Sequence, residues 1–169
     1  IFKTINLIAP NDLYWPELAL TLDEIADYKL IASTRDPKKT LSVVKKFSKD
    51  HEIHGVITIA NDVPLTVATI SNAFKLPGIT LDSAIKASDK LLMKSEFKLH
   101  FVPTPWFTRV KNSKELERIV SLKKYDRFVL KPSDGRGARG VLLIDKNTNF
   151  KLAYSEAVKY GTSGKVILE

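Results

Sequence analysis

Lys131, Arg136 and Arg139 punctuate a run of closely spaced glycines, Lys131-Pro132-Ser133-Asp134-Gly135-Arg136-Gly137-Ala138-Arg139-Gly140. Apolar residues stand on both sides of it, Phe128-Val129-Leu130 before and Val141-Leu142-Leu143-Ile144 after. The run therefore reads as a glycine-rich turn joining two β-strands. Glycines at 135, 137 and 140 admit positive φ and close backbone approach. Their amides, with the lysine and two arginines, make a cradle for an anion. A bare hairpin tip would explain the glycines, but not a strand-end lysine or paired arginines that repel one another unless an anion lies between them. The chemistry these residue types support is a flap closing over phosphates.

Three other glycine loops are excluded by what surrounds this one. The spacing Gly135-x-Gly137-x-x-Gly140 matches a dinucleotide fingerprint in form, but that site needs a helix after the glycines to receive the pyrophosphate on its N-terminus. Val141 to Ile144 is strand-like instead. A Walker A loop needs Gly-Lys-Ser/Thr at its end, and a kinase loop needs H-R-D and D-F-G motifs downstream. The sequence has none of these.

Charge gathers around the same run. Of a formal net +8, residues 1–84 hold nine Lys/Arg and ten Asp/Glu, a net −1, whereas residues 85–151 hold sixteen and seven, a net +9. The cations are not arranged as a DNA-reading helix and no aromatic single-strand platform accompanies them, so nucleic acid is a poorer ligand than a polyphosphate. Cysteine is absent from the 169 residues, which excludes disulfides and thiolate metal sites and fits a reducing, cytoplasmic compartment. His51, His54 and His100 have no ligand spacing with a third partner, which disfavours a metallohydrolase. No apolar run is long enough to span a bilayer, so no membrane partner is expected. The chain opens on Ile1 instead of Met, and residues upstream are expected.

The first half alternates strand and helix patterns. Strands are expected at Ile5–Ala9, Lys29–Ser33 and Gly55–Ala60, the last a continuous buried run. Helices are expected from about Pro16, with Leu18, Leu22 and Ile25 on one face; from Pro37, capped by Asp36, with Leu41, Val44 and Phe47 inward; and from Pro64, with Val67, Ile70 and Phe74 inward. This order implies a parallel sheet wound in the right-handed sense. Ligands of such sheets collect beyond the carboxyl ends of the strands, here Pro10-Asn11-Asp12, Ser33-Thr34-Arg35 and Asn61-Asp62. Asp36 and Asp62 also suit a helix-capping role.

After Thr80 the pattern changes. Ser88-Asp89-Lys90 opens an amphipathic helix carrying Leu92, Met93 and Phe97, and Val102–Phe107 is a proline-bounded extended segment. Ser113 is placed to cap a helix with Glu115 and Glu117 in its first turn and Lys123-Lys124 in its last. The hairpin, a helix around 152–160 and a strand at Lys165–Leu168 complete an α+β unit with an antiparallel sheet. Trp15, Trp106 and Tyr14 read as packing residues.

In order and spacing, Ser88-Asp89-Lys90, the Pro103-Thr104-Pro105 segment, Val129-Leu130-Lys131-Pro132, the loop 135–140 and Val166-Ile167-Leu168-Glu169 together resemble the ATP-grasp superfamily. The resemblance is to the branch of the carbamoyl-phosphate synthase large chain, biotin carboxylase and amino-acid ligases, and it covers all 169 residues as an N-terminal fragment. It implies an α/β fold in which an N-terminal parallel Rossmann-like (pre-ATP-grasp) domain over 1–84 is followed by a connecting helix and extended segment over 85–112. An α+β ATP-grasp lid with an antiparallel sheet follows over 113–169, and the C-terminal catalytic subdomain lies beyond this chain.

The same resemblance implies that Lys90 and Lys131 contact ATP phosphates, that the loop through Gly135, Gly137, Ala138, Arg139 and Gly140 covers the β- and γ-phosphates, and that Glu169 sits at a hinge beside the adenine amino group. Arg139 is expected to reach a phosphate or carboxylate, and Arg136 to lie at the solvent side. ATP and Mg2+ are the implied cofactors, with the metal ligands outside this chain. The implied partners are a small carboxylate and an amine, and a homodimer is compatible with the pattern. The implied activity is ATP-dependent ligation through an acyl phosphate. This stretch alone is expected to bind nucleotide weakly and catalyse nothing. A non-catalytic nucleotide-sensing module of the same shape would look identical over these residues. A basic nucleic-acid-binding domain would instead show salt-steep DNA affinity and indifference to ATP.

Overall fold

The computed structural model describes residues 5–8, 27–58 and 62–169. The expectations at Pro10-Asn11-Asp12, at the helix from Pro16 with Leu18, Leu22 and Ile25, and at Tyr14, Trp15, Ile59, Ala60 and Asn61 lie outside the described residues. The chain divides into two compact units, Ile1–Ala84 and Ile85–Glu169.

In the first unit β1 (Ile5–Ile8) and β2 (Tyr28–Ile31) pair in parallel, from Ile5 opposite Tyr28 to Ile8 opposite Ile31. Helix α1 (Pro37–Phe47) begins as the sequence dictates: proline pre-sets φ at its first position, and Asp36 Oδ1 accepts the Lys38 and Lys39 amides, each at 3.1 Å. Helix α2 (Pro64–Ala73) packs on α1 and starts after Val63, which offers no side-chain cap. Asp62 is therefore not its N-cap, because the proline fixes the start one residue too late for the carboxylate to serve. Val44, Ala68 and Ile70 are buried between these elements, and the hydroxyls of Thr40 and Thr66 donate to Ser33 O and Thr34 O at 2.7 Å. The third strand expected from Gly55 is not formed by its described residues, where Ile57 is 75% exposed. A continuous apolar run argues for burial but names no ladder partner. Among the described residues the parallel sheet is the β1–β2 pair.

Helix α3 (Leu81–Ser88), unassigned by the sequence reading, starts where Thr80 Oγ1 accepts the Ser83 amide at 3.1 Å. Helix α4 (Lys90–Leu99) follows directly, capped by Asp89, whose Oδ1 accepts from Leu91 and Leu92. It closes in a Schellman turn: the Val102 amide donates to Phe97 O at 2.8 Å and that of Phe101 to Lys98 O, with Phe101 at φ 56°.

The second unit is an antiparallel four-stranded sheet in the order β3 (Thr108–Val110), β6 (Val166–Leu168), β4 (Phe128–Pro132), β5 (Leu142–Ile144). Its edge strand lies beyond the 102–107 segment expected to be extended, because Pro103 and Pro105 cannot donate to a ladder. Helices α5 (Ser113–Leu122) and α6 (Phe150–Lys159) supply Leu116, Val120, Ala153 and Ala157 to a core with Val110, Phe128, Leu130, Ile144, Val166 and Leu168. Trp106 packs at its margin beside Phe128. Both helices start a little before the expected residues. Asn112 takes the cap foreseen for Ser113, accepting the Glu115 amide at 2.9 Å, and Asn149 caps α6 through Leu152 at 3.1 Å. No helix among the described residues is long and apolar enough to cross a membrane.

Candidate functional site

Strand β4 alternates, with Phe128, Leu130 and Pro132 buried toward the core and Val129 and Lys131 on the opposite face. Lys131 pairs in register with Ile167, and the Val129 and Glu169 backbones exchange hydrogen bonds at 2.8 and 2.9 Å. Strand alternation thus puts Lys131, Ile167 and Glu169 on one face, away from α5 and α6.

Beyond β4 the chain enters the glycine loop and returns as β5 with no helix between, so the strand–loop–strand reading holds. The glycines serve different needs. Gly137 (φ 62°) and Gly140 (φ 69°) are left-handed, as is Ala138 (φ 55°) between them. Gly135 is required by space, because a Cβ there would stand 2.3 Å from Pro132 Cγ. Arg139 is exposed, and Arg136, expected at the solvent side, is half-buried.

Helix α4 meets the stem of this loop at its N-terminus. The Lys90 amide donates to Ser133 O at 2.8 Å, and its ammonium donates to Gly135 O at 2.7 Å and Ser133 O at 3.4 Å. Asp89 serves twice, capping α4 through Oδ1 and pairing through Oδ2 with Lys165 Nζ at 3.4 Å. The Ser133 amide in turn donates to Lys165 O at 2.9 Å. These contacts join the helix start, the loop stem and the start of β6. A helix N-terminus with a lysine beside a glycine loop concentrates positive potential where an anion would lie.

One turn along α4, Lys94 takes the buried position, while Leu92 and Phe97, apolar residues of this amphipathic helix, are 41% and 39% exposed. Its Nζ lies 3.2 Å from Glu169 Oε1, and Lys131 Nζ lies 2.9 Å from the same atom. Both are ion pairs by distance, and neither has hydrogen-bond geometry. Lys90, Lys131 and Glu169 are thus brought to one side of the sheet, linked through Lys94. Sequence reasoning passed over Lys94, although its spacing of four from Lys90 places the two on one helix face.

Asp134 is a second residue the sequence reading passed over. Its Oδ2 accepts from the Thr162 amide, the Thr162 hydroxyl and the Ser163 amide, pinning the loop stem to the α6–β6 turn. Burial pushes its carboxyl up, but the bonds from Thr162 and Ser163 outweigh that and hold it below the usual 3.8. Among the described residues no group of three or more His, Cys, Asp or Glu side chains could hold a metal ion.

No protein-family model matches the sequence, and no curated protein matches it either. Solved structures do. The biotin carboxylase of Campylobacter jejuni, solved with a β,γ-ATP ligand, superposes with a TM-score of 0.70 at 16% identity, over 99% of this chain and 39% of that one. The biotin carboxylase domain of the Hydrogenobacter thermophilus 2-oxoglutarate carboxylase, solved with MgADP, ADP and bicarbonate, gives 0.68 at 19% identity, over 99% and 38%. The L-amino acid ligase of Bacillus licheniformis gives 0.62 at 18%, over 86% and 33%. The chain spans well under half the length of these three proteins. A mixed α/β chain with an antiparallel sheet, a flap of glycines between two of its strands and lysines gathered at the flap's stem has the fold of the ATP-grasp enzymes.

Proposed function

We propose that this chain is the N-terminal part of an ATP-dependent carboxylate–amine ligase, and that its second unit grips the nucleotide. The observation that carries the reading is the position of Lys90 at the mouth of the glycine loop, 2.7 Å from Gly135 O, on the helix whose next turn bears Lys94 against Glu169. An ammonium, loop amides and a helix N-terminus together suit the polyphosphate of ATP, and Glu169 suits the adenine amino group as acceptor. Lys131 exchanges its carboxylate for a phosphate oxygen when nucleotide enters, and Gly135 to Gly140 close over the β- and γ-phosphates. The likeness to ATP- and MgADP-bound carboxylases supports this division of labour.

In the full-length protein the carboxylate substrate attacks the γ-phosphorus, giving an acyl phosphate and ADP, and an amine then displaces phosphate. This chain's part is to hold the triphosphate and exclude water from it. Among the described residues no group of three or more His, Cys, Asp or Glu side chains could hold a magnesium ion, and its ligands are assigned to residues outside this chain. We assign 1–84 as a parallel α/β domain, 85–112 as a connector and 113–169 as the lid, acting in the cytoplasm, where a chain with no cysteine is at no disadvantage.

Titrating Mg-ATP against wild type and Lys131→Ala tests the assignment. A charge-assisted contact contributes about 1.5–3 kcal/mol net, so the variant is expected to bind on the order of tenfold more weakly. Equal, measurable affinity for both removes Lys131 from the site.

A further inference from the structure

The buried lysine of α4 is given no contact with nucleotide in the reading above, although it is the best-enclosed ammonium around Glu169. Its side chain is 9% exposed, against 19% for that of Lys131 and 14% for that of Glu169. Thr104 Oγ1 lies 3.4 Å from Lys94 Nζ, and the Phe107 ring lies below it at 5.7 Å, so the ammonium is held from three sides. Lys131 stands at the end of a strand that leads into the loop, and it shares a single carboxylate oxygen with Lys94.

That sharing matters once an anion arrives. A phosphate that draws Lys131 away would leave a largely buried carboxylate without a counter-charge if Lys131 were its only partner, and uncompensated buried charge is strongly unfavourable. With Lys94 in place the carboxylate keeps one cation throughout. We infer that Lys94 is a positioning residue that retains the Glu169 carboxylate and thereby releases Lys131 for a polyphosphate. This rests on the nucleotide reading only for the identity of the ligand; the coupling itself concerns any polyphosphate.

The test therefore uses two probes, ATP and inorganic tripolyphosphate, which has no base, titrated against the full-length protein carrying this chain. Lys94→Met keeps the volume and removes the charge. It is expected to weaken both probes by roughly tenfold or more, because Lys131 must then leave an unpaired carboxylate behind. Adding Glu169→Gln removes that obligation, and the double variant is expected to recover tripolyphosphate affinity to within about threefold of wild type. Lys94→Arg is expected to keep it. A role limited to folding would lower the urea midpoint of Lys94→Met while leaving the tripolyphosphate affinity of its folded fraction unchanged. Should the methionine variant not fold, Lys94→Gln carries the same comparison.

Tripolyphosphate affinity unchanged by Lys94→Met, or no recovery in the double variant, overturns the inference. If wild type binds tripolyphosphate but not ATP, with the recovery as stated, the nucleotide reading falls and the coupling stands. If wild type binds ATP and the Lys94 variants match it, the coupling falls and the nucleotide reading stands. If wild type binds neither probe, both fall.

Discussion

Replacing Asp134 by alanine should loosen the stem of the glycine loop by an amount the structure allows to be worked out. The carboxylate accepts from the Thr162 and Ser163 amides at 3.1 and 2.8 Å and from the Thr162 hydroxyl. Its second oxygen is enclosed without a hydrogen-bond partner, and a Cβ at Gly161 would stand 2.8 Å from it. Hydrogen bonds to a charged acceptor are worth about 1.5–3 kcal/mol net when enclosed. This carboxylate is partly open to water, so the three together are expected to contribute about 2 kcal/mol, nearer the value of one enclosed bond than of three. The folded-state pKa lies below the ordinary 3.8, so the contribution is complete above that value and disappears as pH falls through the lower, folded pKa. Urea unfolding of wild type and Asp134→Ala, with hydrogen exchange at the Thr162 and Ser163 amides, measures it. At neutral pH the variant should unfold earlier and exchange faster at those two amides. In acid well below 3.8 the two curves should converge. Coincident curves at neutral pH, or a gap that persists unchanged in strong acid, would refute the reasoning.

Two further substitutions probe the backbone around the site. Phe101 sits left-handed at φ 56° and is 93% exposed, so Phe101→Gly loses little packing and should raise stability by about 1 kcal/mol, read as a higher urea midpoint. Gly135→Ala drives a methyl to 2.3 Å from Pro132 Cγ and should cost about 1–3 kcal/mol in the same assay, with nucleotide affinity falling because the stem must shift.

Sequence alone carried the second unit a long way. The hairpin around the glycines, the Asp89 start of α4 and the helices α5 and α6 all follow from local signals: alternating apolar residues, caps and turn glycines act over a few residues and need no tertiary partner. The same signals misplaced ends by a residue or two where Asn competes with Ser for a cap, as at Asn112, and where prolines push an edge strand onward, as at Thr108. At Gly55 the signal was apolar but not directional, so the expected strand found no ladder among its described residues.

The candidate site divides along the same line. The residues of the loop and their charge were legible because a cationic, glycine-rich turn is written in consecutive letters. What the lysines touch was not. Whether Lys90 would reach Gly135, whether Lys131 would rest on Glu169, and whether a lysine and not Leu92 or Phe97 would take the buried side of α4 depended on how that helix lies across β4 and β6. Side-chain burial and ion pairing are set by groups distant in the chain, with Lys94 and Glu169 seventy-five positions apart. Local spacing determines which residues a helix turn or strand can present; only the packing of those elements decides which charge meets which.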